Sequence, residues 1–365
     1  MPIPLLLHGK HGHPLATYQA WGPWIVPWRF DTFEAESEAL RARVGLLDYS
    51  TQALIEVGGS DRVDLLHRLL TNDIQHLAAQ SGCEAALLTP SGKLVAPLRV
   101  LANAESIWLM CEMPLAETIM RALEQYHFSE QVTFTNHERA SAVLALQGPR
   151  TMEFLTEAFG RVVSLPRPGD HLSVSFDGIP VWVIRQSLTG ELGVLCIVNA
   201  GAAELVWNHL NRPGRSTQPT RVGWEALNAA RIEAGFPWFG VDMDETHLLP
   251  ETGWDAVAVS ETKGCYLGQE IMARLRAYGS VSKRLVGLLL EPPQTAEPGD
   301  PIVRDAETLG HVTSACTSPA LQRPIAMGYV KRPHYETSTA VEILHGAQRL
   351  PATVVARPFI PLNSP

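Results

Sequence analysis

At 365 residues the chain is long enough for two or three domains with substantial cores. Hydrophobic content of 45% against 18% charged residues is that of an ordinary soluble globular protein. A formal net charge of −9 excludes broad electrostatic binding to DNA, RNA or anionic membranes, while leaving room for a local basic pocket that holds a small anion.

Five cysteines (Cys83, Cys111, Cys196, Cys265 and Cys316) are scattered without a C-x-x-C, so neither a disulfide framework nor a zinc site follows from their spacing. A reducing cytoplasm is the expected compartment. The first residues lack a signal-peptide pattern, and no apolar run is long enough to span a bilayer.

In chain order, His8, His11 and His13 sit in a Gly/Pro-containing leader that reads as a solvated tail, with no scaffold to fix metal-ligand geometry. Trp21, Trp24 and Trp28 then pin the leader to a domain. Asp31-Thr32-Phe33-Glu34 reads as a capping box opening a helix, followed by a strand around Leu54–Val57 and a second helix with Ser60 as N-cap. A hairpin is predicted over residues 83–88 and 93–101 around Pro90-Ser91-Gly92. A strand over 106–111, a helix over 115–126, strands over 131–135 and 142–146, and a helix over 151–159 follow. Residues 181–210 partly repeat the plan with a hairpin and a helix, and 221–234 form another helix. After residue 284 short β-like runs at 285–290, 301–304, 311–315, 325–330, 341–344 and 352–355 predict a small antiparallel barrel. The predicted class is α+β: duplicated antiparallel α+β domains plus a C-terminal β-barrel. The expected units are a leader (1–28), a first α+β domain (29–138), a second (139–283) and the barrel (284–365).

The densest chemistry lies at Lys263-Gly264-Cys265-Tyr266-Leu267-Gly268-Gln269-Glu270. Two glycines allow a shaped turn, and Ile271, Met272 and Leu275 at helical spacing predict that it feeds a helix. Lys263 and a helix start both favour a thiolate at Cys265, which makes it the candidate functional thiol. Tyr266 either stacks on a ring or packs in the core, and Gln269 and Glu270 either bond a ligand edge or cap the helix.

K-G-C-Y-x-G-Q-E resembles the signature of the YgfZ-type folate-binding proteins, the iron–sulfur-cluster maturation branch of the superfamily that includes the glycine-cleavage aminomethyltransferase. The resemblance runs from about Trp28 to Pro358. It implies three domains in a clover-leaf around a central folate-sized channel, with tetrahydrofolate or a derivative bound by Lys263, Gly264, Tyr266, Gly268, Gln269, Glu270, Arg231 and Glu191. The implied function is assistance to synthesis or repair of iron–sulfur enzymes, with Cys265 as a redox or transient-ligand thiol, and folate and iron–sulfur client or assembly proteins as partners. The alternative is a tetrahydrofolate-dependent aminomethyltransferase or demethylase. No nucleic acid, membrane or resident metal is expected.

Two departures bear on the alternative. Thr189–Leu195 resembles the T-protein loop T-G-E-x-G-x-E but carries Leu195 in place of the second carboxylate. Ser91–Leu98 resembles the hairpin that places a catalytic aspartate, yet it offers Val95, Ala96 and Pro97, none of which titrates. Glu191 alone reads as a surface-turn residue, and Arg231 as either a folate ligand or the partner of Glu233 or another neighbour. Asp242, Asp244 and Glu245 read as a solvated acidic turn.

Overall fold

A computed structural model of the protein describes residues 1–305 and 307–363. It is an α+β structure with a five-stranded sheet, a six-stranded sheet, a small three-stranded sheet and a closed six-stranded barrel.

The first residues do not form a solvated tail. Strands Thr17–Trp21 and Trp24–Arg29 pair as a hairpin, with Ile3–Pro4 parallel to the second. His11 is 1% exposed and bridges the buried Asp48 carboxylate, at 3.1 Å, and the Tyr18 hydroxyl, at 3.0 Å. The sequence hides this because the partner of His11 lies 37 residues away. Trp21 and Trp28 stack at 6.0 Å, and Trp24 is buried in the same core.

Helix Phe33–Ala42 starts on Thr32, whose hydroxyl accepts from Ala35 N, as the sequence predicts. Its Glu36 is fully buried. One carboxylate oxygen accepts from the backbone N–H groups of Phe30 and Asp31, the other from Gly223 at 2.7 Å. Glu36 thereby occupies the positive end of helix Trp224–Glu233, where orphan donors and the helix dipole favour a carboxylate. Burial still raises its pKa against the three backbone hydrogen bonds. Gly223 is required there, since a Cβ would stand 2.0 Å from the Trp28 carbonyl oxygen.

The five-stranded sheet runs Ser81–Leu88, Leu94–Ala102, Ile107–Glu112, Gln52–Gly58, Thr133–Asn136. Helices Arg62–Leu69 and Ala116–Glu124 bring Leu65, Leu66, Ile119 and Leu123 into its core. The cap of the first is Asp61, one residue later than predicted. The six-stranded sheet runs His171–Phe176, Ile179–Arg185, Gly193–Asn199, Ser141–Gln147, Gly45–Asp48, Thr220–Arg221. Leu46, Leu144, Val183 and Cys196 pack there against Phe154 and Trp207 of helices Thr151–Phe159 and Ala203–Leu210. Its strand Gly45–Asp48 comes from the chain before the first sheet, so the two sheets interleave along the sequence. The barrel closes in the order Lys283–Leu290, Arg323–Lys331, Glu307–Ser318, Pro301–Arg304, Ala340–His345, Gln348–Val355, around Leu288, Ile302, Val312, Ala326, Ile343 and Val354. No helix among the described residues is long and apolar enough to cross a membrane.

Candidate functional site

A cavity of about 850 Å³ opens where the five-stranded sheet faces segments 234–239 and 253–257 and the chain end at 357–362. That volume lies within the usual range for small-molecule sites. One wall is strand faces. Side chains alternate along a strand, so Glu84, then Pro97 and Arg99, then Met110 and Glu112 lie on one face of three adjacent strands, and all line the cavity with Gln52. The opposite wall is aromatic and apolar: Phe236, Trp238, Phe239, Met243 and Trp254. Arg185 and Arg357 also reach the lining.

The polar groups of the sheet wall are paired in two sets. Arg99 donates to Glu84 from Nη2 at 2.8 Å and from Nε at 3.1 Å, so the carboxylate and guanidinium neutralise each other. Gln52 Nε2 donates to Glu112 Oε1 at 2.6 Å. Glu112 keeps some access to the cavity, but the protein around it removes most of its hydration. Burial pushes its carboxyl up to about 7, against the lowering effects of hydrogen bonds from Gln52 and Thr51 and of the Arg99 charge. Burial also pushes up the Cys83 thiol, to about 12, and the Cys111 thiol, so both cavity cysteines are neutral at physiological pH.

Arg357 is held by the carbonyls of Gly235, at 2.9 Å, and Thr252, at 2.6 Å. Arg185 Nη1 is held by the Leu165 and Pro166 carbonyls, while its Nε is buried without a hydrogen-bond partner among the described residues. An aromatic wall, a carboxyl that titrates near neutrality and guanidinium groups at the lining suit a flat, hydrogen-bonding heterocycle with an anionic tail.

None of the residues expected to bind folate, nor Cys265, lines this cavity. Lys263 is buried, and its Nζ donates to the carbonyls of His67, Leu70 (2.6 Å) and Asn72 (2.9 Å), and lies 5.2 Å from the Tyr266 ring centroid. Burial lowers its pKa to about 8, but three carbonyls matched to three N–H donors hold it as an ammonium. Lys263 thus ties the signature loop to the end of helix Arg62–Leu69. Tyr266 is buried beside Ala86, Leu88 and Leu94 of the first hairpin, so it packs in a core. Gly264 has open space around it. Gly268 has φ +82°, and a Cβ there would lie 2.7 Å from the Thr89 carbonyl oxygen. Gln269 begins helix Gln269–Tyr278, and Glu270 pairs with Arg274 on its exposed side. Cys265 is exposed.

Two readings of charged residues are corrected, those of Asp242 and Glu191, and Arg231 takes the intramolecular pair its sequence context allowed. Arg231 is wholly buried, and its ion-pair partner is the neighbouring Asp242, not Glu233. It donates to the Asp242 carboxylate, to Ser314 Oγ at 2.7 Å and to the Phe236 carbonyl at 3.2 Å, and stacks 4.5 Å above the Trp238 ring. Asp242 is therefore no solvated turn residue: it also accepts from Thr313 and Ser314, both at 2.6 Å, and from Trp238 N at 3.0 Å. Glu191 is buried and accepts from Arg41 at 3.2 Å and from Asn363 at 3.0 and 3.1 Å. Arg41 also reaches Glu233, at 2.6 Å. These pairs join helices, loops and barrel, and Arg231 fixes the Trp238 side of the cavity from behind.

Sheet faces, an aromatic wall and a closed barrel together define an α+β protein with a ligand-sized cavity. Comparison with known proteins then makes the class particular. Residues 7–261 match the GCVT N-terminal domain, and residues 283–360 match the glycine cleavage T-protein C-terminal barrel domain. Similar proteins include an aminomethyltransferase of Synechococcus sp. (strain CC9311), 29% identical over 347 residues with 92% of each chain covered. An aminomethyltransferase of Synechococcus sp. (strain WH7803) is 30% identical over 347 residues, again with 92% of each chain covered. The crystal structure of glycine cleavage system aminomethyltransferase T from Bartonella henselae superposes with a TM-score of 0.90 at 24% identity, covering 100% of this chain and 99% of that one, so the fold is shared throughout. The chain belongs to the aminomethyltransferase superfamily, with both the GCVT N-terminal domain and the T-protein barrel.

Proposed function

We propose that this protein binds tetrahydrofolate in the cavity between the five-stranded sheet and the Phe236–Trp254 wall, and uses it in one-carbon transfer of the aminomethyltransferase type. The observation that carries this reading is the cavity itself: a ligand-sized space with an aromatic wall, two guanidinium groups and a titratable carboxyl, in a chain whose relatives bear the name aminomethyltransferase over nearly their whole length. Trp238 and Trp254 would sandwich or flank a flat ring, Arg185 or Arg357 would meet an anionic tail, and the sheet wall would face the ring nitrogens. Bound tetrahydrofolate would supply the nitrogen that accepts the one-carbon unit. The test is formation of methylenetetrahydrofolate from an aminomethyl donor and tetrahydrofolate by the purified protein. Sustained turnover is expected, and its absence across a panel of amine donors would count against the transferase reading.

A second reading, an accessory factor for synthesis or repair of iron–sulfur enzymes, is favoured by one observation: the Cys265 thiol is exposed on a loop that Lys263 anchors rigidly. In that reading the thiol exchanges with a client protein, and Cys265→Ser lowers the activity of iron–sulfur enzymes in cells. Unchanged activities would remove the support for it.

A further inference from the structure

Resting on the tetrahydrofolate reading above, we propose that Glu112 is the group that accepts a ring N–H proton from the bound folate, supplied by strand Ile107–Glu112 in place of the carboxylate absent from the hairpin. The argument is one of register. Gln52 pairs with Glu112 across one ladder, Ala86 pairs with Pro97 across another, and Arg99 pairs with Met110 between them. The ladder between those two strands ends at Arg99–Met110; Pro97 and Glu112, each two residues beyond it, lie by the alternation of the pleat on the same face as that pair, and both line the cavity. A carboxyl carried by Glu112 therefore enters the cavity next to the place where a hairpin residue would otherwise present one.

Its surroundings suit the task. Gln52 fixes one carboxylate oxygen at 2.6 Å, which orients the group towards the lining. The charged and titratable groups around it are Arg99 and Glu84 on the adjoining strands, Tyr49 and Cys111 beside it, and Arg185 and Arg357 on the other walls. Glu84 is the rival carboxyl, but Arg99 donates two hydrogen bonds to its Oε1, whereas Glu112 has no arginine partner among the described hydrogen bonds. The Tyr49 phenol is pushed up by burial and stays protonated. Burial lifts Glu112 to about 7, so at neutral pH it is divided between the form that accepts a proton and the form that returns one. In the step itself the ring nitrogen's lone pair bonds to the one-carbon unit as that carbon's bond to its donor breaks, with the electron pair leaving on the donor. The nitrogen, now positively charged, gives its N–H proton to Glu112, the N–H bonding pair stays on nitrogen, and the resulting carboxylic acid passes the proton to the leaving donor group. No change of oxidation state is involved.

The experiment is calorimetric titration of the full chain with tetrahydrofolate, under anaerobic reducing conditions, in buffers of different ionisation enthalpy from pH 6 to 8. Ring N–H donors favour the carboxylate, so the wild type should release on the order of half a proton on binding near pH 7. Glu112→Gln should bind on the order of 10- to 100-fold more weakly and release no proton in that range. A variant that binds and still releases the wild-type fraction overturns the assignment. Absence of binding by the wild type instead overturns the folate reading on which it rests. If Glu112→Gln does not fold, Gln52→Leu serves: it keeps the carboxyl, removes a hydrogen bond that favours its ionised form, and should move the release profile to higher pH. An unmoved profile refutes the role of Glu112.

Discussion

Replacing Arg231 by methionine should cost more stability than any other single change considered for this protein. Arg231 and Asp242 are both 0% exposed at their side chains, and the guanidinium supplies Asp242 with its only positive partner among the described ion pairs. Methionine preserves much of the volume against Trp238 but leaves a buried carboxylate with Thr313, Ser314 and one backbone N–H. Breaking such a pair from one side typically costs about 3–5 kcal/mol, because the remaining charge is uncompensated. Removing both charges, as in Arg231→Met with Asp242→Asn, should be milder than the sum of the single changes by about 2 kcal/mol or more. Urea unfolding followed by tryptophan fluorescence and by circular dichroism measures all four corners of this cycle. Because the pair joins helix Trp224–Glu233 to barrel strand Glu307–Ser318, the loss should appear in both signals. A single Arg231→Met cost below about 1 kcal/mol, or strict additivity in the double variant, would refute the claim that this buried pair locks barrel to helix.

Glu112 makes stability depend on pH. A carboxyl raised from 4.5 to about 7 binds its proton more tightly in the folded state, so its contribution is complete below pH 4.5 and is lost as pH rises through 7. Glu112→Gln should flatten the fall in unfolding midpoint between those values, and at pH 8 should exceed the wild type by on the order of 2–3 kcal/mol. An unchanged pH profile would contradict the burial argument. Lys263→Met leaves three backbone carbonyls without their donor and should cost about 2–3 kcal/mol in thermal unfolding, whereas the exposed Cys265→Ser should stay within about 0.5 kcal/mol. Gly268→Ala, at φ +82° and 2.7 Å from the Thr89 carbonyl oxygen, should cost about 1–3 kcal/mol, and a neutral result would mean that the loop can shift.

The fold was largely readable because its signals are local. The barrel strands show apolar alternation between Pro- and Gly-bearing turns, and strand Pro301–Arg304 and helix Thr151–Phe159 lie where the sequence places them. Strand His171–Phe176 and the hairpin of Thr17–Trp21 with Trp24–Arg29 were missed. Polar serines interrupt the first, and Gly22-Pro23 and clustered tryptophans disguise the second. The site was far less legible because its groups meet through distant pairings. Glu112 ends an apolar strand and acquires meaning only beside Gln52, 60 residues earlier, and beside the hairpin strand that carries Pro97. Glu191 looks like a turn residue until Arg41, 150 residues earlier, closes on it, and Asp242 looks solvated until Thr313 and Ser314 of the barrel cover it. The signature loop drew attention because it gathers many functional groups in a short stretch. Its lysine, tyrosine and second glycine serve packing, while its cysteine faces solvent with Gly264 and Glu270. A carboxylate at the end of an otherwise apolar strand, facing a hairpin without one, was the available signal for Glu112.

The most direct test of the account is a calorimetric titration of the wild-type protein with tetrahydrofolate, paired with quenching of tryptophan fluorescence over the same concentrations. The cavity between Glu112 and the Trp238–Trp254 wall predicts saturable binding at one site per chain, with quenching that follows the same isotherm. No heat of binding and no quenching at millimolar tetrahydrofolate would contradict the account.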